Sequence, residues 1–188
     1  SKSTDLGEVD EDSGESVLQL AIDSDDVETV RLIYESGRIS DFLKDSMKSE
    51  EIGLTYSAMT GKVECLKYIL SMEDHSESGE LIFYAYFYAC LNGHLDCIKF
   101  LLNNTEVDKK RLQEDGSNAL FWSIEKEEVL EYLFNEQQIP AIEDSMGQSI
   151  LDAAVVKNSI QGVNFALDQC TINPNKKKKK IGISPLSL

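Results

Sequence analysis

Histidine, proline and tryptophan are scarce in this 188-residue chain, which has 2, 3 and 1 of them respectively. With His75 and His94 alone, a nucleophile triad or a histidine-rich zinc site has few possible members. No apolar run approaches the roughly 18 residues that a membrane-crossing helix needs, so no membrane insertion is expected. Ser1 to Asp12 has one lysine, several acids and no apolar stretch, which makes it neither a signal nor a transit peptide. A cytoplasmic or nuclear setting is the expectation. Positive charge is also in deficit: 18 Lys and Arg stand against 34 Asp and Glu, a formal net charge of −16. Such a chain repels phosphate backbones and anionic headgroups, which disfavours direct nucleic-acid or membrane-surface binding. The 4 cysteines, Cys65, Cys90, Cys97 and Cys170, form no C-x-x-C pair. Each sits in or at the end of an apolar run, as a reduced core residue would.

What the sequence does have is self-similarity. Gly14-Glu15-Ser16-Val17-Leu18-Gln19-Leu20-Ala21 is followed by the apolar-periodic Val27-Glu28-Thr29-Val30-Arg31-Leu32-Ile33. Ser57-Ala58-Met59-Thr60-Gly61-Lys62-Val63-Glu64-Cys65-Leu66-Lys67-Tyr68-Ile69-Leu70 has a counterpart in Ala89-Cys90-Leu91-Asn92-Gly93-His94-Leu95-Asp96-Cys97-Ile98-Lys99-Phe100-Leu101-Leu102. Further openings occur at Gly116-Ser117-Asn118-Ala119-Leu120 and Gly147-Gln148-Ser149-Ile150-Leu151. These segments resemble the ankyrin repeat, with its Gly-x-Thr-Pro-Leu-His-x-Ala opening and its Gly-His turn between two helices. The small residues Ala21, Ser57, Ala89, Ser123 and Ala154 mark the units and are spaced by 31 to 36 residues, around the 33-residue ankyrin period.

The departures are as specific as the matches. The second unit lacks the Gly-x-Thr-Pro opening, and the fourth drops about two residues from its inter-helix turn between Glu125 and Glu128. Gly182-Ile183-Ser184-Pro185-Leu186-Ser187-Leu188 again resembles the opening, so the sequence stops inside a sixth unit. The expected organisation is an acidic tail (1–12), an array of about five units (13–175), and a basic finger with a truncated sixth unit (176–188). A monomeric fragment of a longer chain is expected, fraying after Asn173.

The resemblance implies an all-α solenoid of helix-turn-helix units with short hairpin fingers, in which each unit buries its apolar faces on its neighbours. Leu18, Leu54, Tyr86, Leu120 and Leu151 should fill the space between layers. Ser16, Ser149 and Ser184 are placed to cap first helices, and Gly61 and Gly93 to end them in the left-handed conformation. His94 is expected to bond neighbouring backbone and not to act as a base. Cys65 and Cys97 occupy one repeat position in adjacent units, where core packing outweighs a metal pair. The run Lys176 to Lys180 reads as a solvated loop insertion in preference to a localisation signal. In Phe83-Tyr84-Ala85-Tyr86-Phe87-Tyr88, Tyr86 is expected in the core and Phe83 is a candidate exposed anchor.

No paired acids, nucleophile with base, or Gly-rich phosphate loop can be assembled, so neither catalysis nor a cofactor is expected. The resemblance implies a protein-binding scaffold that uses finger tips and the concave side of the first helices. The family positions fall on Asp12, Glu15, Asp23 and Ser24; Glu51, Met59 and Thr60; Phe83, Leu91 and Asn92; Ser117, Glu125 and Lys126; and Gln148, Val156 and Lys157. That surface runs from acidic to apolar to mixed, which suits a partner segment with basic residues beside an apolar anchor. The alternative is a regulatory segment of a larger enzyme or transcription regulator, packed against its own chain.

Overall fold

In a computed structural model, residues 17–36, 49–72 and 79–170 are described. The chain divides into two compact units, Ser1–Asp108 and Lys109–Leu188. Among the described residues every regular element is helical. The first unit holds three antiparallel pairs: α1 (Val17–Asp23) with α2 (Val27–Glu35), α3 (Ser49–Thr60) with α4 (Val63–Ser71), and α5 (Gly79–Asn92) with α6 (Leu95–Asn104). First helices pack on first helices (α1 on α3, α3 on α5), and second helices on second helices (α2 on α4, α4 on α6). The second unit repeats this two-layer plan. There α7 (Ala119–Trp122) packs against α9 (Ile150–Val156), and α8 (Glu127–Glu131) against α10 (Ile160–Gln169).

The small marker residues make this stacking possible. Ala21, Ser57, Ala89, Ser123 and Ala154 are all buried, and with so little side chain they let a neighbouring helix approach closely. Serine takes the alanine place in two pairs by returning its hydroxyl to its own helix. Ser57 Oγ donates to the Gly53 carbonyl at 2.7 Å, and Ser123 Oγ to the Ala119 carbonyl at 2.6 Å, so neither buries an unpaired polar group. Around them lie Leu18, Leu54, Tyr86 and Leu120, each at most 1% exposed. Leu151 departs from the expectation and is only half-buried.

The turns follow from local backbone chemistry. Gly61 and Gly93 have φ of 77° and 86°, the left-handed region that glycine enters without steric cost. A Cβ on Gly61 would also overlap the His94 ring, whose Nε2 lies 2.9 Å from the Met59 carbonyl oxygen. The imidazole thus ties the turn of the third pair to the end of α3, as the resemblance implied. Asp25 and Asn158 take the corresponding left-handed place in the first and fifth pairs, with φ of 55° and 53°. In the fourth pair the interval from the small marker to the second helix is two residues shorter, Ser123 to Glu127 against Ser57 to Val63 or Ala89 to Leu95, as its sequence indicated. There α7 is one turn long, and α8 continues into a π-helical turn over Tyr132–Glu136 that buries Tyr132 and Leu133 side by side.

Caps and surface contacts add to this frame. Ser149 and Asp152 form a reciprocal capping box at α9, with the Asp152 carboxylate accepting from the Ser149 amide at 2.9 Å. Asn118 caps α7 and Ser159 caps α10. Across the second helices of the first unit, Arg31 lies 5.6 Å from the Tyr68 ring centroid and Lys67 lies 6.0 Å from that of Phe100. The same two repeat positions supply cation and ring at both steps, so the repeat carries a cation–π ladder on its outer surface.

Candidate partner-binding surface

The solvent side of the first helices in unit 1 is built by helical geometry. Successive residues of α5 turn by about 100°, so Tyr84, Tyr88 and Leu91, at i, i+4 and i+7, share a side. Opposite them Ile82, Phe83, Ala85, Tyr86, Ala89 and Cys90 are buried. Tyr84 is 45% exposed and Leu91 41%, while Tyr88 is half-buried. The same repeat positions on the other two first helices carry Leu20 with Asp23 on α1 and Tyr56 with Met59 on α3. Two rows therefore cross the unit: Leu20, Tyr56 and Tyr88 in one, Asp23, Met59 and Leu91 in the other. Asp23 and the following Asp25 and Asp26 are exposed and make one end of the surface acidic.

Polar contacts fix these side chains. The Tyr56 hydroxyl donates to Asp23 Oδ2 at 2.9 Å, joining the first and second pairs across the surface. Ser24, Thr60 and Asn92 occupy one further row, and all three bond carbonyls of their own helices. Ser24 Oγ reaches the Leu20 carbonyl at 2.8 Å, Thr60 Oγ1 the Tyr56 carbonyl at 2.9 Å, and Asn92 Nδ2 the Tyr88 carbonyl at 2.9 Å. They satisfy helix C-termini at the rim of the surface. Asp26 accepts from the Thr29 hydroxyl and amide, and these bonds hold its carboxyl below the ordinary value.

Two expected contact residues are placed elsewhere. Phe83 is 3% exposed: it lies about 80° around the helix from Leu91, on the side that packs into the core. Its neighbour Tyr84 points out instead, with the two rings in an edge contact at 5.9 Å. Ser117 is 7% exposed, because its hydroxyl accepts the indole N–H of buried Trp122 at 2.9 Å. A tryptophan one turn into α7 needs an acceptor once it leaves water, and Ser117 supplies it.

Within the second unit Glu125, Val156 and Lys157 are exposed, and Lys126 and Gln148 are half-buried. Two fingers present similar turns, closed by Gly116 N–H to the Gln113 carbonyl and Gly147 N–H to the Asp144 carbonyl. The Ser145 amide donates to the Asp115 carbonyl and joins them. Asp12, Glu15 and Lys176 to Lys180 lie outside the described residues, as does the side chain of Glu51. Sequence reasoning passed over Leu20, Tyr56, Tyr84 and Tyr88. The first, second and last of these precede the small marker residue directly, and that recurrence is the signal that would have found them.

The buried thiols offer no reactive group to this surface. Burial pushes Cys65 and Cys97 up to about 12 and raises Cys90 as well. Among the described residues no helix is long and apolar enough to cross a membrane.

Residues 86–178 match the family model of ankyrin repeats in 3 copies. The chain is also similar to the crystal structure of EF0377, an ankyrin repeat protein. The TM-score is 0.60 at 21% sequence identity, over 88% of this chain and 86% of that chain. No curated protein matches the chain by sequence. The stacked helix pairs, the repeat motif and these two likenesses agree: residues 86–178 belong to the ankyrin repeat family, whose repeats generally mediate protein–protein interaction, and the chain has the ankyrin fold.

Proposed function

We propose that this chain is a non-catalytic interaction module whose first-helix surface in unit 1 holds a partner segment with basic residues beside an apolar anchor. The observation that carries this reading is the pair of rows crossing α1, α3 and α5. Tyr84, Leu91 and Leu20 stand 41–46% exposed on helices whose other described apolar residues are buried or half-buried, with Tyr56, Tyr88 and Met59 half-buried beside them. Tyrosine offers a large contact area for few rotatable bonds, which is why aromatic side chains recur as interface anchors. The exposed carboxylates Asp23, Asp25 and Asp26 adjoin that apolar surface, and the whole chain carries −16. Complementary charge would speed encounter, and the apolar contact would set the lifetime of the complex.

Selection of a random displayed peptide library on the full chain tests this directly. Enrichment of Lys or Arg next to a leucine or an aromatic, lost when the bait carries Leu91→Asp, is the expected result. Enrichment of acidic peptides, or selection indifferent to Leu91→Asp and Tyr84→Ala, would place the interface elsewhere and favour a regulatory segment packed on its own chain.

A further inference from the structure

The second helices of unit 1 repeat a two-residue pattern on their outer side. Val30 and Ile33 of α2, like their counterparts in α4 and α6, turn into the stack and are at most 3% exposed. The two residues between these positions point outward: Arg31 with Leu32, Lys67 with Tyr68, and Lys99 with Phe100. Each helix thus shows a cation directly beside an apolar side chain. Arg31, Lys67 and Lys99 are exposed. Leu32 is 65% exposed, while Tyr68 and Phe100 are half-buried beneath Arg31 and Lys67.

Charge is divided between the two surfaces of the unit. Its described residues include four cations: Arg31, Lys67 and Lys99 stand on the second helices, and Lys62 immediately precedes α4. The first helices α1, α3 and α5 carry no Lys or Arg, and Asp23, Asp25 and Asp26 crowd one end of their surface. Glu28 and Glu64 lie 3.5 Å and 2.6 Å from Arg31 and Lys67. Exposed pairs of this kind contribute little, so each cation can exchange its carboxylate for another.

We propose that the first-helix surface of unit 1 binds the second-helix surface of another copy of this chain. This rests on the partner chemistry proposed above, a basic residue beside an apolar anchor, which the chain itself displays once per layer. Charge sets the order of the contact. Leu32 of one copy seats beside Tyr84 and Leu91 of the other, and Lys99 faces Asp23, so the helix pairs of the two copies run in opposite order. Packed helices lie about 8–10 Å apart in either surface, and one seated layer therefore brings the next into register. The charge of −16 opposes approach at long range. At about 0.15 M salt it is screened beyond about 8 Å, and only the charges at contact act. Because the two surfaces differ, each bound copy leaves one of each kind free, and assembly is open-ended.

Sedimentation equilibrium of the full chain over a range of concentrations tests the contact from both sides. The wild-type mass should rise with concentration past that of a dimer. Leu91→Asp spoils the receiving surface and Leu32→Asp the inserted one. Both sites are exposed, so each variant should keep the wild-type thermal midpoint and sediment as a monomer. Their equimolar mixture should form a 1:1 dimer and nothing larger, since each supplies the surface that the other lacks. A wild-type chain that stays monomeric overturns the proposal, as does a mixture that stays monomeric or association that survives both single substitutions. Peptide selection on the same chain keeps the two claims apart. Enrichment of basic peptides that depends on Leu91, in a chain that stays monomeric, retains the first-helix surface and removes the second copy as its occupant.

Discussion

Ile22 and Val155 hold the same place in the first and fifth helix pairs, one residue beyond the small marker, yet Ile22 is 0% exposed and Val155 60%. Both chemistry and helix position match, so neither accounts for the difference. What differs is the neighbour. In a stack of pairs the repeat position sets where a side chain points, and the adjoining layer sets whether it leaves water. The solvent-facing rows of unit 1 obey the same logic in reverse. Tyr84 and Leu91 point away from every layer and stay exposed in the third pair, where interface positions are fully covered. Exposure at an interface position thus reports on the neighbour, whereas exposure of apolar residues off the interface is what the proposed binding surface rests on.

The largest expected effect comes from placing one charge at both interface positions. Ala58→Asp in unit 1 should cost on the order of 4 kcal/mol, because the carboxylate is buried without a partner. Val155→Asp should cost about 1 kcal/mol or less in global stability, its effect being confined to the end of the stack. Urea unfolding distinguishes them, and equal losses would remove the distinction between the two pairs. Leu101→Ala, at a site 0% exposed, should cost about 3 kcal/mol as a cavity in the third pair. A loss under about 1 kcal/mol would mean the side chain does not fill the layer.

Gly162→Ala probes the covered side of the fifth pair. The nearest atom to a Cβ there is the Ile124 carbonyl oxygen at 2.6 Å, which cannot rotate away, so the substitution should cost about 2 kcal/mol and lower the thermal midpoint. An unchanged midpoint would show that α10 can move off α7 and α8 freely. Ser149→Ala removes the capping box of α9 and should cost about 1 kcal/mol.

The smallest effect is a pH difference between the caps of the second helices. Asp26, held below its ordinary value by the Thr29 bonds, stabilises α2 above the unfolded carboxylate value. That contribution is lost as pH falls below about 4, through the lowered folded value. Ser159 caps α10 without a titrating group. Acid should therefore shift the Thr29 amide resonance while leaving that of Gly162 in place, and parallel shifts would refute the assignment.

The repeat was legible because its local requirements recur in the residues themselves. A small residue at each marker, Gly61 and Gly93 in the left-handed turn, and Ser149 ahead of α9 all declare their roles without reference to the rest of the chain, whereas Asp25 and Asn158 took that turn position unannounced. The two-residue deletion in the fourth turn could likewise be read by counting. Tertiary partners could not. That Ser117 is buried depends on Trp122 turning its N–H inward, and the choice between Phe83 and Tyr84 depends on which side of a uniformly apolar helix meets α3 and α6. Every residue from Leu81 to Leu91 is apolar or aromatic, so α5 carries almost no amphipathic signal from which to fix its rotation. The uncovered side of the fifth pair was equally silent, because Leu151 reads as ordinary core.

The central claim is that apolar residues off the stacking interfaces of unit 1 form the partner surface, and binding kinetics with a selected basic peptide test it most directly. Tyr84→Ala with Leu91→Ala should raise the dissociation rate about tenfold or more at any salt concentration. Asp23→Lys should instead slow association, with an effect that shrinks as ionic strength rises. Unchanged rates in both folded variants would contradict the account.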